Sequence, residues 1–412
     1  MITRQEFPYL QELVVNDAYA VKNLRVPVFR AGQEFKHLVL TGRNGSGKTT
    51  VVKSVAAKIQ FDIASSDKHL YQIRNLRTWI EGSTDLSRTA EYERQLASFT
   101  ATETVFGPAD DAAAPRVFPT TPGVLFAFFP AYRAANVQPV TTPTTQDAFV
   151  AALTKPEGAA DFANQFKQYL VNKKVSQALA HIEGKPFREE DTLIFNQLEA
   201  SLRKVFSDEK LELVFISESY EFLINLFDGR RITFNQLSAG FSAFLSILMD
   251  LLMRVDLLRK QANDYTYDPC GFVLIDEPET HLHLEMQYQI LPLLTSLFPN
   301  LQFIVATHSP AVASSIKNAT VFDLSTGQSL GDIAAGSSFS ELMQTHFGLE
   351  NEYSNVADGI LVEVAEIGQM PDRAAALARL QHLFDEQGRY MSPVLRLDVQ
   401  AQLLHLQREQ AA

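Results

Sequence analysis

The chain has 412 residues, is 46% hydrophobic and 20% charged, and carries a formal net charge of −12. That length suits two or three sub-domains around a large buried core, and the acidic balance argues against a protein coated with positive charge for nucleic acid. Cys270 is the one cysteine, which excludes an intrachain disulfide and a cysteine-rich zinc site and points to a reducing, cytoplasmic compartment.

The N-terminal "MITRQEFPYL" lacks the basic-then-apolar order of a signal peptide, and no apolar run approaches the ~20 residues that cross a bilayer. No membrane anchoring is expected. Residues 11–41 read as strands ending in Leu38-Val39-Leu40, and 47–59 as a helix. Residues 66–105, with the single tryptophan Trp79, are polar and helix-prone. Residues 107–123 and 138–146 read as loops around a short buried strand, "VLFAFF" (124–129).

Helical spacing follows, first at Phe162, Phe166, Tyr169 and Leu170, then at Ile194, Phe195, Leu198, Leu202 and Val205. Strands are expected at 211–216, 220–226 and, beyond the Asp228-Gly229 turn, 231–234. A long apolar helix starts near Phe241. "FVLI" (272–275) and "FIVA" (303–306) are continuous apolar runs, as in a parallel sheet covered on both faces. From Phe339 onward the chain reads as amphipathic helices, Ala375–Phe384 among them.

Three stretches carry chemistry. "GRNGSGKT" (42–49) sits between an apolar strand and a helix and has the phosphate-loop pattern. Gly42, Arg43, Asn44, Gly45, Ser46, Gly47, Lys48, Thr49 and Thr50 are the candidate nucleotide-binding residues. Backbone N–H groups from Asn44 to Thr49 suit a β-phosphate at a helix N-terminus, Lys48 the β- and γ-phosphates, and the Thr49 hydroxyl Mg²⁺. In "FVLIDEPETHLHLEMQ" (272–287), Asp276 is a candidate Mg²⁺ ligand and Glu277 a candidate base for an attacking water. Acids at a strand end are also ordinary loop residues; the phosphate loop tips the balance. His281 and His283 are better explained as a polar loop than as a metal site. "FIVATHSP" (303–310) puts His308 beyond a second apolar strand, so both sites would emerge at one sheet edge.

Between them lies "FNQLSAGFS" (234–242). Phosphate loop, "LSAG", strand with Asp-Glu and strand with His occur in the order of the ATP-binding cassette (ABC) ATPases. "LSAGFS" resembles their signature loop, with Ala239 where glycine is common. The resemblance implies an α/β P-loop NTPase fold: an ABC-ATPase head with a mixed or parallel sheet, an antiparallel β subdomain, a short helical insertion and a C-terminal helical segment. The implied boundaries are 1–150 (first lobe), 151–210 (insertion), 211–330 (signature, Asp-Glu strand, His switch) and 331–412 (C-terminal helices). It further implies that Ser238 and Gly240 complete the nucleotide site of a second copy, giving a head-to-tail homodimer around two ATP molecules. Ser238 as a plain N-cap is the competing explanation. Tyr19 is a candidate to stack on adenine, and a core tyrosine is as good a reading. Arg133 and Gln138 compete for the place of the family's first-lobe glutamine, and an arginine there would contact phosphate or nucleic acid.

"EPETHLHL" resembles the RecF, SMC-like and OLD-like branch, without room for a long coiled coil or a Toprim domain. The closest resemblance is to stand-alone ATPases of antiphage defence systems such as Septu and PARIS. This implies an ATP-hydrolysing switch acting on a partner effector, such as a nuclease. Direct action on DNA, as in repair or chromosome ATPases, a low-turnover ATP-binding scaffold, and a transporter subunit are the rivals.

Overall fold

The structure, a computed structural model, describes residues 2–30, 32–83, 85–107, 123–133, 137, 139–144, 162–184, 190–331, 334, 336–337, 339–345 and 355–411. The chain forms two compact units, Met1–Leu342 and Met343–Ala412.

In the first unit β1 (Tyr9–Ala18) pairs antiparallel with β2 (Val21–Pro27) and with β4 (Thr102–Gly107), giving the order β2-β1-β4. The main sheet holds β3 (His37–Thr41), β5 (Leu125–Phe129), β9 (Gly271–Asp276), β10 (Leu301–Ala306), β11 (Ala319–Asp323) and β12 (Gln328–Gly331). Its order is β12-β11-β3-β10-β9-β5; every pairing is parallel except that of β11 with β12. β6 (Glu212–Ile216), β7 (Glu221–Asn225) and β8 (Arg231–Ile232) form a third, antiparallel sheet.

Both faces of the main sheet are covered, so its strands lack the alternation of a half-exposed sheet. On one face Leu38, Leu40, Phe272, Leu274, Ile304 and Ala306 share a core with Leu10, Leu13 and Val15 of β1. Val51, Val52, Val55 and Ile59 of α1 (Lys48–Gly82) complete that core. The intervening residues Val39, Val273, Ile275, Phe303 and Val305 are also buried. The two β layers are stapled by Gln302, which is fully buried. Its amide oxygen accepts the Leu10 N–H at 2.8 Å and its NH₂ donates to the Leu10 and Lys36 carbonyls at 3.0 and 2.8 Å. The register of β1 against β4 shifts next to Leu10, so the side chain satisfies backbone groups there.

α1 runs 35 residues, well past the expected end at 59, and is followed by α2 (Leu86–Phe99), whose N-cap Asp85 accepts the Ser87 and Arg88 N–H groups. α3 (Phe162–Ile182) and α4 (Glu190–Phe206) are the expected helical pair. α3 is fastened to α5 (Ala239–Ala262) by buried charge: Asp256 accepts from Lys173 Nζ at 2.6 Å and from the Tyr169 hydroxyl. α5 is buried over most of its circumference from Ala243 to Leu258 and ends at Asn263 in the left-handed conformation. Expected strand 231–234 is only two residues long, because Phe234–Gln236 form a 3₁₀ turn closed by a Thr233–Gln236 capping box. α6 (Leu284–Leu297) and α7 (Pro310–Ala313) follow β9 and β10.

Leading into the second unit is α8 (Phe339–Thr345). The second unit itself packs α9 (Asn355–Gly368), α10 (Arg373–Gln387) and α11 (Pro393–Ala411) around Ile360, Val364, Leu380, Leu383, Leu395 and Val399. Among the described residues, no helix is long and apolar enough to cross a membrane.

Candidate functional site

The parallel strands β3, β9, β10 and β11 end in register: Leu40 opposes Ala306, Ala306 opposes Asp276, and Thr41 opposes Asp323. The polar residues that follow each strand are therefore delivered to one edge, the usual ligand-binding edge of such a sheet.

Gly42 leaves β3 at φ +136, and a Cβ there would lie 2.8 Å from both Ser325 Oγ and Ser46 Oγ. Only glycine fits. Ser325 Oγ accepts the Arg43 N–H at 2.7 Å, and the Ser325 N–H donates to Asp323 Oδ1 at 2.7 Å, so the loop after β11 braces the phosphate loop. Lys48 is buried; its Nζ donates to the Gly42 and Arg43 carbonyls at 2.6 and 3.0 Å. Burial pushes its pKa below the usual lysine range, while Glu277, Glu279, Asp323 and Asp276 act in the opposite direction. Gly47 caps α1 in the left-handed conformation.

The Thr49 hydroxyl donates to Asp276 Oδ1 at 3.1 Å. Asp276 is fully buried, its other oxygen makes no hydrogen bond, and burial raises its pKa. A hydroxyl and a carboxylate held together, with one carboxylate oxygen unsatisfied beside the phosphate loop, fit a hard divalent cation such as Mg²⁺.

Glu277 stands at φ +49, a left-handed conformation that costs a non-glycine residue roughly 1–2 kcal/mol. Its N–H donates to the Ala306 carbonyl at 2.8 Å, and its Oε1 lies 3.5 Å from His308 Nε2. Burial lowers the His308 pKa, as does the nearby Lys48 charge, while Glu277 and Asp276 act in the opposite direction; the net direction favours the neutral imidazole. Asp276, Glu277, His308, Lys48 and Thr49 thus gather at one edge. Among the described residues no group of His, Cys, Asp and Glu has the geometry of a preformed metal cluster; His281 and His283 are exposed on the loop.

Glu279 escaped the sequence reading, although it stands in the same "DEPET" run. Its Oε1 accepts the His308 N–H at 2.5 Å, its Oε2 is buried without a hydrogen bond, and burial raises its pKa. Arg133 differs from expectation. Its guanidinium contacts backbone, donating from Nη1 to the Pro130 and Asp276 carbonyls at 2.8 and 2.7 Å and from Nη2 to the Glu277 carbonyl at 2.7 Å. Gln138 lies outside the described residues. Tyr19 is no core residue: it is 88% exposed at φ +56 in the β1–β2 turn. Val21, two residues on, lies against Gly47 of the phosphate loop, 2.4 Å from where a Cβ would be.

Ser238 is the N-cap of α5 by position, yet its side chain makes no capping bond and it is exposed. Capping therefore does not occupy its hydroxyl. Gly240 is buried against the backbone of His281. Asn235 also ties this region to the first lobe: its amide oxygen accepts the Val137 N–H at 3.1 Å and its NH₂ donates to the Val137 carbonyl at 2.9 Å.

Residues 138–314 match the family model described as "AAA domain, putative AbiEii toxin, Type IV TA system". The "Retron Ec83 probable ATPase" of Escherichia coli is 41% identical over 93 residues, 23% of this chain and 17% of that protein. The "Septu protein PtuA" of Bacillus thuringiensis is 29% identical over 151 residues, 36% of each chain. The chain thus spans 17% and 36% of the lengths of these relatives. A solved SmcHead bound to the C-winged helix domain of ScpA aligns with TM-score 0.35 and 13% identity, covering 78% of this chain and 96% of that one. Over these segments the chain is thus similar to a probable retron ATPase and to a Septu protein, in line with the Septu resemblance of its motifs.

Proposed function

We propose that this chain is an ABC-type ATPase that binds Mg·ATP at the sheet edge, closes head-to-tail on a second copy, and so switches a partner effector, such as a nuclease, in antiphage defence. The observation that carries the reading is the Thr49–Asp276 hydrogen bond with the Glu277–His308 pair beside it. Thr49 lies in the first turn of α1, Asp276 ends β9, and Glu277 and His308 follow β9 and β10, whose register brings their ends together. The similarity to a retron ATPase and to a Septu protein supports the defence context, and the net charge of −12 favours a protein partner over DNA.

Each side chain has a role in the proposed hydrolysis. The Asn44–Thr49 N–H groups hold the β-phosphate at the α1 N-terminus, and Thr50 continues that turn. Lys48 exchanges its carbonyl contacts for β- and γ-phosphate oxygens. Thr49 and Asp276 would hold Mg²⁺, which would supply positive charge against the phosphate oxygens. Glu277 accepts a proton from the attacking water, and neutral His308 hydrogen-bonds the γ-phosphate or that water. Ser238 and the N-terminus of α5, with Gly240 in its first turn, meet the γ-phosphate of the opposite protomer, so ATP joins two copies and its hydrolysis separates them.

Glu277→Gln is the test. With Mg·ATP the variant should elute as a stable dimer and hydrolyse at least about 100-fold more slowly than the wild type, while the wild type cycles back to monomer. Hydrolysis at the wild-type rate would remove Glu277 as the base. A variant that stays monomeric with ATP bound would remove the shared site.

A further inference from the structure

The ladder between β5 and β9 stops at the pair Phe129–Ile275. The carbonyls of the next two residues, Asp276 at the end of β9 and Glu277 just beyond it, are taken up by Arg133, four residues beyond the end of β5. One guanidinium thus spans two consecutive backbone oxygens at 2.7 Å each, and from the same plane also holds its own turn through Pro130 at 2.8 Å. The peptide it grips is where the chain turns left-handed at Glu277. The Glu277 carbonyl also receives the Thr280 hydroxyl at 2.9 Å, and the Glu277 N–H is fixed to Ala306. The backbone on both sides of the Glu277 side chain is therefore held, which sets the direction of its Cα–Cβ bond and keeps its carboxylate within reach of His308, 3.5 Å away.

We propose that Arg133 is a positioning residue for Glu277: its planar fork replaces the missing strand partner of β9 and holds the Asp276–Glu277 peptides so that the Glu277 carboxylate faces the phosphate loop. Arg133 touches neither phosphate nor metal in this role. A lysine cannot reproduce it, because one ammonium cannot present parallel donors to two successive carbonyls. The inference rests on the reading of Glu277 as the base.

The experiment compares Arg133→Ala and Arg133→Lys with Glu277→Gln in the full chain. Mg·ATP affinity is measured by equilibrium titration, turnover at saturating ATP, and amide exchange in the nucleotide-free protein over residues 276–281. Both Arg133 variants should bind Mg·ATP within about twofold of wild type. They should lose about 100-fold in kcat, the scale of a misplaced catalytic group, and show faster exchange over 276–281. Methylguanidinium should restore part of kcat to Arg133→Ala and none to Arg133→Lys, whose side chain still fills the site. Unchanged kcat, unchanged exchange, or a loss of affinity equal to the loss of kcat/KM would overturn the proposal, the last by making Arg133 a phosphate ligand. If Arg133→Ala fails to fold, Arg133→Lys carries the comparison. Wild-type hydrolysis by Glu277→Gln would instead unseat the base, and the exchange data would still judge the clamp on its own.

Discussion

Replacing Gly240 with alanine sets two physical effects against each other. Gly240 lies in the first turn of α5, where alanine is favoured over glycine by up to about 1 kcal/mol. Propensity alone therefore predicts a small gain in stability. The structure predicts a loss. A Cβ at 240 would sit 2.2 Å from the His281 carbonyl oxygen and 2.8 Å from its carbon. Both are backbone atoms, in a loop whose His281 is itself at φ +63. To reach even 3.0 Å the helix and loop must part by 0.8 Å. Overpacking of this kind costs typically 1–3 kcal/mol, and backbone neighbours put the site at the upper end. Net of propensity, Gly240→Ala should lose about 2 kcal/mol. The assay is thermal unfolding of the nucleotide-free protein, with Gly359→Ala as a contrast. Gly359 is helical with nothing within 4 Å of its absent Cβ, so there the same replacement should stabilise its own unit. A Gly240→Ala protein that melts at or above the wild-type temperature would refute the steric argument and leave Gly240 as a matter of composition.

Two further perturbations test the interior. Asp256 neutralises buried Lys173, so Asp256→Asn should cost about 3 kcal/mol by stranding an ammonium; adding Lys173→Met should recover more than half, read by denaturant titration of both variants. His37 is buried, and its Nδ1 accepts the Phe303 N–H at 3.1 Å, with burial lowering its pKa to about 4. The folded state thus favours the neutral ring while the unfolded chain takes up a proton below about pH 6.5. Stability from this group is complete above pH 6.5 and falls as the pH drops towards 4, by about 3 kcal/mol. His37→Gln, which keeps an acceptor without a titration, should flatten that part of the stability profile; an unchanged slope would clear His37 of the effect.

What the sequence made legible follows from how each feature is encoded. Leu38-Val39-Leu40, "FVLI" and "FIVA" announce themselves as buried parallel strands because both faces are apolar, and the polar residues after each then fall on one edge. β11 is a five-residue strand of the same kind, "ATVFD", but nothing recognisable follows it. Asp323 and Ser325, which brace the phosphate loop, therefore went unread. β4 was hidden in a polar, helix-prone tract: Thr102–Gly107 gains its strand identity from β1, a partner about ninety residues away in the chain. The helix read over 47–59 and the polar, helix-prone tract from 66 are one continuous helix to Gly82, because the chain turns polar without a helix-breaking residue. Arg133 competes with Gln138 in the sequence, and its residue type suits phosphate or nucleic acid. Its aim is set by where β5 stops, which no local pattern records.

The site is also the place where this fold departs from its own rules. Elsewhere buried polar groups are well satisfied, as Gln302 is by three backbone groups and Asp256 by Lys173 and Tyr169, with Asn225 Oδ1 in β7 an isolated exception. Around the turn at 276–281, Asp276 Oδ2, Glu279 Oε2 and Arg133 Nε are buried without a hydrogen bond, each at a cost of roughly 1–3 kcal/mol. Glu277 and His281 add left-handed backbone conformations. Such concentrated strain persists only where the surroundings over-determine it, here through the β9–β10 register, the Arg133 fork and the Glu279–His308 link. A cation on Asp276 would relieve one of these unsatisfied atoms and leave the turn unchanged, so the geometry of Glu277 is a property of the protein before its ligand arrives.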